Sequence, residues 1–176
     1  MRPNRAHTFR LDVDLDEALD KIAREERESL NQVANKAFRK YIEWDKAPTN
    51  RGLVSVPSML LVKLMDDETE QKAHALGRWA GRELFLPNIK AGYPTLSLER
   101  VERMVRMLGE YGGRFTFDHS TDDGKHIITV GQKMGKNWSC YYAGAMEAVF
   151  EDFLGKRFAE TISDNVCVVE FKPREL

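Results

Sequence analysis

The first part of the chain carries two hydrophobic patterns in succession. Phe9, Leu11 and Val13 alternate with polar residues, which is the period-two pattern of a strand with one apolar face. Apolar residues then recur at helical spacing from Leu15 and again from Leu30, where the periodicity is the strongest in the chain. The pattern predicts a short strand followed by two amphipathic helices.

Polar residues mark where these two helices begin. Asp14 and Glu17 have the spacing of a capping box, with Asp14 as the N-cap, so we expect the first helix to start near Leu15. Ser29 is suited to cap the second helix, which is expected to run to about Trp44.

The remainder of the chain predicts an α+β fold. Gly77 and Gly81, four residues apart, indicate close helix packing, and the second helix of this part should end before Pro87. The segment 121–124 is expected to form a hairpin turn. The pattern predicts helices over 58–65, 73–84, 98–108 and 137–153, and strands of an antiparallel sheet over 114–117, 126–130, 157–163 and 166–171.

A break in the periodicity separates the two parts. Pro48, Asn50 and Gly52 interrupt the helical pattern, which predicts a linker over 47–52 between domains 1–46 and 53–176. A domain of 46 residues without cysteine is too small to bury a sufficient core alone. We therefore expect the N-terminal domain to dimerise.

Composition and charge narrow the class of protein. With 42% hydrophobic and 31% charged residues, the chain of 176 residues is typical of globular proteins. The net charge of −1 gives no globally basic surface. Residues 1–10, however, hold three arginines and no acid, whereas residues 11–46 hold seven basic and ten acidic residues. Positive charge is therefore concentrated beside the predicted strand.

Two absences favour a cytoplasmic protein. No apolar run is long enough to span a bilayer, and no hydrophobic region follows the charged N-terminus as it would in a signal peptide, so no membrane partner is expected. Cys140 and Cys167 have neither the number nor the spacing of a disulfide framework or a zinc module.

A single strand before two helices leaves its backbone N–H and C=O groups unpaired. Pairing the strand with that of a second copy forms a two-stranded antiparallel ribbon, whose apolar face packs on four helices and whose polar face points outward. Such a ribbon fits the major groove of B-DNA.

This arrangement resembles the ribbon-helix-helix family, the Arc and methionine-repressor class, over about residues 6–45. The resemblance rests on the alternating segment 8–13, the Leu15-x-x-x-Leu19-x-x-Ile22 helix and the Ser29-Leu30-Asn31 entry to the second helix. It implies an intertwined homodimer that binds double-stranded DNA. The DNA-binding residues that it implies are Thr8, Arg10 and Asp12 for base edges, Ser29, Leu30 and Asn31 for a phosphate, and Arg2 and Arg5 in the N-terminal arm.

The second domain resembles the ligand-binding domains of the vinyl-reductase and haem nitric-oxide-binding superfamily. The resemblance lies in the order of its elements and in the segments 135–139 and 154–155, which open and close its long helix. It implies oligomerisation or binding of a small hydrophobic effector.

No catalytic motif is present, so we expect no enzyme, no cofactor and no metal. His119 and His126 flank one hairpin and could approach each other, but the sequence indicates no third ligand. Cys140, in the first turn of a helix, and Cys167, in an apolar strand, are expected to be buried thiols.

The sequence therefore predicts a homodimeric, or dimer-of-dimers, DNA-binding transcriptional regulator with a C-terminal domain for oligomerisation or ligand sensing. Two alternatives remain. A metal-responsive repressor predicts stoichiometric nickel, copper or zinc, and an antitoxin-like interaction module predicts a tight protein partner.

Overall fold

The computed structural model describes residues 5, 7–46, 54–92, 97–151 and 159–172. The chain divides into two units, residues 1–47 and 48–176. The predicted linker, residues 47–52, lies outside the described residues.

The N-terminal unit contains a helix pair joined by a tight turn. Helix α1 covers Val13–Glu26, and helix α2 covers Leu30–Lys40 and continues as a π-helical turn over Tyr41–Asp45. Between the helices, Arg27 takes a left-handed conformation with φ 57°, which ends α1.

A capping box starts α2. The hydroxyl of Ser29 accepts a hydrogen bond from the backbone N–H of Gln32, whose side chain accepts one from the backbone N–H of Ser29. The predicted cap at Ser29 is thereby confirmed.

The start of α1 differs from the prediction. The helix begins at Val13, and Asp12 rather than Asp14 is its N-cap residue. The carbonyl of Asp12 accepts a hydrogen bond of 3.0 Å from the N–H of Asp16. Asp14 lies instead in the first turn, where its charge favours the positive end of the helix dipole. The predicted capping box of Asp14 and Glu17 is therefore wrong.

Residues 7–12 belong to no helix or strand in the single chain. A strand needs a hydrogen-bonded neighbour, and no described segment of the chain pairs with these residues. The predicted strand is therefore not confirmed, and Val13, expected at its end, belongs to α1.

The described residues of the C-terminal unit include five helices. A π-helical turn over Gly81–Phe85 joins the second of them to the third. They are α3 (Ser58–Asp66), α4 (Glu70–Ala80), α5 (Leu86–Gly92), α6 (Leu98–Gly112) and α7 (Lys136–Phe150). No described helix has the length and apolar character needed to cross a membrane.

The expected helix end before Pro87 is wrong. The π-helical turn passes into α5, where Pro87 is the second residue. Because α5 continues the π-helical turn without a break, Pro87 lacks a donor inside a helical run, and the change from π- to α-helical geometry at this point accommodates it. The side chain of Asn88 donates a hydrogen bond of 2.7 Å to the carbonyl of Leu84, which strengthens this junction.

The predicted antiparallel sheet is confirmed. Its strands are β1 (Thr116–Asp122), β2 (Lys125–Gly131), β3 (Ala159–Ile162) and β4 (Val166–Phe171), in the order β1-β2-β4-β3. The β1–β2 hairpin turns through Asp123 and Gly124 alone, both with positive φ. Thr121 and Asp122, expected in the turn, pair with β2.

Helix α7 is the centre of the core. It packs on α4 at one side and on the sheet at the other, and 11 of its 15 residues are buried. Glycines let α4 and α7 approach closely: a Cβ at Gly77 would overlap the carbonyl oxygen of Tyr141, and one at Gly144 would overlap that of His74. The expected close packing at Gly77 is thereby confirmed.

Candidate functional site

The N-terminal unit leaves most of its large apolar side chains exposed. Among its described residues only Ala23 and Val33 are buried hydrophobics. Val13 and Ile42 are 75% and 67% exposed. The exposed set, which we call the N-terminal apolar face, comprises Phe9, Leu11, Val13, Leu15, Ile22, Leu30, Phe38, Tyr41 and Ile42.

The segment 7–12 contributes its apolar side to this face. The ring of Phe9 contacts that of Phe38 on α2, with centroids 5.5 Å apart. Phe9 nevertheless stays 63% exposed and Phe38 47% exposed, so one copy of the unit covers neither ring. The alternation predicted for this segment thus places an apolar residue against the helices.

The polar residues of the same segment are exposed. Thr8, Arg10 and Asp12, the expected base-contacting residues, lie on the surface, as does Arg5 of the arm. Asp12 also has a structural role as the N-cap residue of α1. Arg2 lies outside the described residues.

The expected phosphate site is the start of α2. Its capping box uses the hydroxyl of Ser29 within the chain, so this group is occupied. No described residue accepts a hydrogen bond from the backbone N–H groups of Leu30 and Asn31. These two donors, at the positive end of the helix dipole, are available to an anion.

The aromatic residues of α7 are core residues. Trp138 and Tyr142 are buried, with ring centroids 5.9 Å apart, and the indole N–H of Trp138 donates to the carbonyl of Leu61 at 3.1 Å. Burial raises the pKa of the Tyr141 phenol to about 12. Their role is to pack α7 against its neighbours.

Both cysteines are buried thiols. Burial raises the pKa of Cys140, and it raises the pKa of Cys167 to about 12. Cys140 and Cys167 are 3% and 0% exposed. Because the thiolate is the reactive form, neither group has the properties of a nucleophile.

We therefore expect the native protein to resist thiol reagents. At about pH 8, Ellman's reagent should label neither Cys140 nor Cys167 within minutes, and it should label both after unfolding in guanidinium chloride. Rapid labelling of Cys140 in the native chain would contradict its burial.

His119 and His126 come together on the β1–β2 hairpin, as the sequence suggested. The Nε2 atom of His119 lies 2.8 Å from the Nδ1 atom of His126, and the ring planes differ by 15°. The Nδ1 atom of His119 lies 2.9 Å from a carboxylate oxygen of Glu102 on α6. Desolvation, followed by the proximity of His119, lowers the pKa of His126. We call these three residues the hairpin cluster.

Glu102 was missed by the sequence analysis. It lies on α6 beside the buried positions Val101 and Val105, 17 residues before His119, and its sequence spacing matches no short ligand motif. Only the packing of α6 on β1 brings its carboxylate to the histidines.

A second polar cluster joins side chains of α4, α7 and β3. The Nε2 atom of His74 is 3.6 Å from a carboxylate oxygen of Glu147 and 3.5 Å from one of Glu160. Arg78 forms an ion pair with Glu147, and this contact raises the pKa of Arg78. The arginine already neutralises part of the acidic charge.

An apolar groove is the candidate place for an effector. It has a volume of about 390 Å³ and opens to solvent between α3 and α4. Its lining residues are mainly apolar, with a charged pair at the rim: Leu61, Leu64, Met65, Ala73, Leu76 and Trp138, with Glu68 and Lys72.

Neither a protein-family model nor a curated protein sequence matches the chain.

Proposed function

We propose that the chain is a sequence-specific DNA-binding transcriptional regulator, and that it acts as a dimer through its N-terminal unit. Residues 7–12 of two copies pair as an antiparallel ribbon, and the polar face of this ribbon enters the major groove of DNA.

The observation that carries this proposal is the N-terminal apolar face. A helix pair with two buried hydrophobic residues has too small a core to be stable alone. A second copy covers the exposed side chains and supplies the missing strand for residues 7–12. One contact between two copies therefore buries the apolar surface and also pairs the open backbone N–H and C=O groups of this segment.

In the proposed ribbon, side chains that can hydrogen-bond to bases and phosphates face the DNA. Arg10 donates a pair of hydrogen bonds to a guanine, and Thr8 contacts a neighbouring base edge. Leu30 and Asn31 hold a phosphate through their backbone N–H groups, and Arg5 adds a positive charge beside it. Asp12 accepts a hydrogen bond from a base amine or pairs with Arg10.

The C-terminal unit is proposed to set the spacing between ribbons or to sense an effector. In the first role, the C-terminal units form a second oligomerisation contact, and this contact holds two ribbons at the spacing of adjacent DNA turns. The apolar groove between α3 and α4 is the proposed effector site.

Replacing Arg10 tests the base contact. Arg10→Ala should weaken binding to a selected DNA site by about 1–3 kcal/mol, roughly 5- to 150-fold, and should relax the preference at one base position. Fluorescence anisotropy with the selected site and with a scrambled site measures both effects.

Arg24→Ala is the matched control. The Arg24 side chain is on α1, is 80% exposed and pairs with Asp20 at 3.5 Å. Like Arg10→Ala, this substitution removes one positive charge, but it does so on α1 and not in the segment proposed to form the ribbon. We therefore expect less than a threefold change in DNA affinity. Equal losses on selected and scrambled DNA for Arg10→Ala would make Arg10 a phosphate contact instead of a base contact.

A further inference from the structure

The hairpin cluster lies on the face of the sheet that forms the core. Buried apolar residues lie beside it on this face, and the ring of Phe171 stacks on that of His126 at 5.2 Å between centroids, whereas Thr121, which pairs with His126, is exposed. The side chains of His119 and Glu102 are only 12% and 21% exposed. Two histidines therefore occupy strand positions on a face that otherwise carries mainly apolar residues, and the carboxylate of Glu102 reaches them from α6.

Such groups are costly to place at the edge of a core. Burying imidazole and carboxylate groups removes their hydration, and this cost is offset only by good partners. Here the three side chains are one another's partners, through the contacts of 2.8 and 2.9 Å. A cluster of this kind, drawn from α6, β1 and β2, is typical of a binding site rather than of a packing contact.

We propose that Glu102, His119 and His126 bind one zinc ion. Two imidazoles and one carboxylate are ligands that zinc uses in proteins, and a set of three leaves a fourth position for water or an exogenous ligand. This site is distinct from the DNA-binding function proposed above and does not depend on it.

The distances suit one ion. One ligand atom from each of the three residues can be chosen so that all lie within 4.8 Å of one another. In a tetrahedral zinc site with bonds of about 2.0–2.1 Å, ligand atoms are roughly 3.3 Å apart. The two contacts of His119 use its opposite ring nitrogens, so binding one ion exchanges one of these contacts for a bond to zinc. Without the ion, the two contacts keep the three groups assembled.

The second polar cluster is less suited to zinc. His74, Glu147 and Glu160 also have ligand atoms within 4.8 Å of one another. However, it offers a single imidazole, and the guanidinium of Arg78 already occupies the Glu147 carboxylate. A cation beside the site opposes a second cation, so this cluster serves as the internal comparison.

Zinc binding to the 176-residue chain tests the proposal. Protein stripped with a chelator is titrated with Zn²⁺ in a calorimeter, and Co²⁺ replaces zinc to report the geometry through its visible absorption. We expect about one ion per chain, a tetrahedral cobalt spectrum, and a melting temperature raised by about 5 °C or more in excess zinc.

Variants assign the ligands. Glu102→Gln and His126→Gln should each weaken zinc binding at least tenfold and abolish the thermal shift, whereas His74→Gln should behave like the unsubstituted chain. Circular dichroism of the stripped variants establishes that they fold, and Glu102→Gln preserves the shape of the side chain. The proposal is overturned if the unsubstituted chain binds no zinc, if its affinity equals that of His126→Gln, or if His74→Gln alone abolishes binding.

Discussion

Phe38→Asp is expected to abolish the proposed DNA binding by disrupting the proposed N-terminal dimer. The Phe38 ring belongs to the N-terminal apolar face and contacts Phe9 of the segment proposed to form the ribbon. A carboxylate there must be buried without a partner when two copies meet, which costs roughly 3 kcal/mol or more per copy. We expect at least 100-fold weaker binding to DNA and loss of N-terminal helicity, measured by anisotropy and circular dichroism.

Arg39→Gln is the control for this variant. It changes the net charge by the same single unit at the next position of α2, where Arg39 forms only an exposed ion pair with Glu43 at 3.7 Å. Its DNA affinity and helicity should stay close to those of the unsubstituted chain. Unchanged DNA binding by Phe38→Asp would show that DNA binding does not require a second copy to cover the N-terminal apolar face.

Gly77→Ala is expected to destabilise the C-terminal unit by about 3 kcal/mol. The added Cβ would overlap the carbonyl oxygen of Tyr141 and lie 3.0 Å from the backbone N of Ala145, so α4 and α7 must separate. Backbone atoms of a buried helix cannot move aside as a flexible side chain does, and overpacking of this kind is strongly destabilising. Urea unfolding followed by tryptophan fluorescence measures the loss.

Gly112→Ala is the matched control. Gly112 is the last residue of α6, and a Cβ there would meet no described atom within 4 Å. Because alanine favours the helix, stability should stay unchanged or rise by up to about 1 kcal/mol. Equal unfolding midpoints for the two variants would mean that α4 and α7 are not in close contact at Gly77.

The elements of the C-terminal unit could be predicted because local signals mark them. Ser97 caps α6 and Gly113 ends it with a left-handed φ of 65°, and the Asp123-Gly124 pair provides a two-residue hairpin turn. The prediction failed at Pro87 because the π-helical turn before it accommodates a proline within a continuous helical run. It failed at Asp14 because several acidic residues compete for the N-cap of α1, and the helix includes Val13.

The candidate sites could be predicted only in part. The sequence predicted that His119 and His126 flank one hairpin and could approach each other, and the register of β1 and β2 brings them together. Glu102 could not be found, because its position depends on how α6 packs against β1, which no local spacing encodes. Likewise, the pairing proposed for residues 7–12 would use atoms of another chain, so it would leave no hydrogen bond within one chain.

The central claim, that the chain binds specific DNA sequences, is tested most directly by titrating the 176-residue chain with a random-sequence DNA library. The titration is run at two salt concentrations, and the bound fraction is sequenced. We predict binding that weakens steeply with salt, as expected when several phosphates are contacted, and enrichment of a palindromic motif whose half-site spacing reflects the two-fold symmetry of the ribbon. Absence of binding at low salt would contradict the claim and would leave the N-terminal unit as a dimerisation module alone.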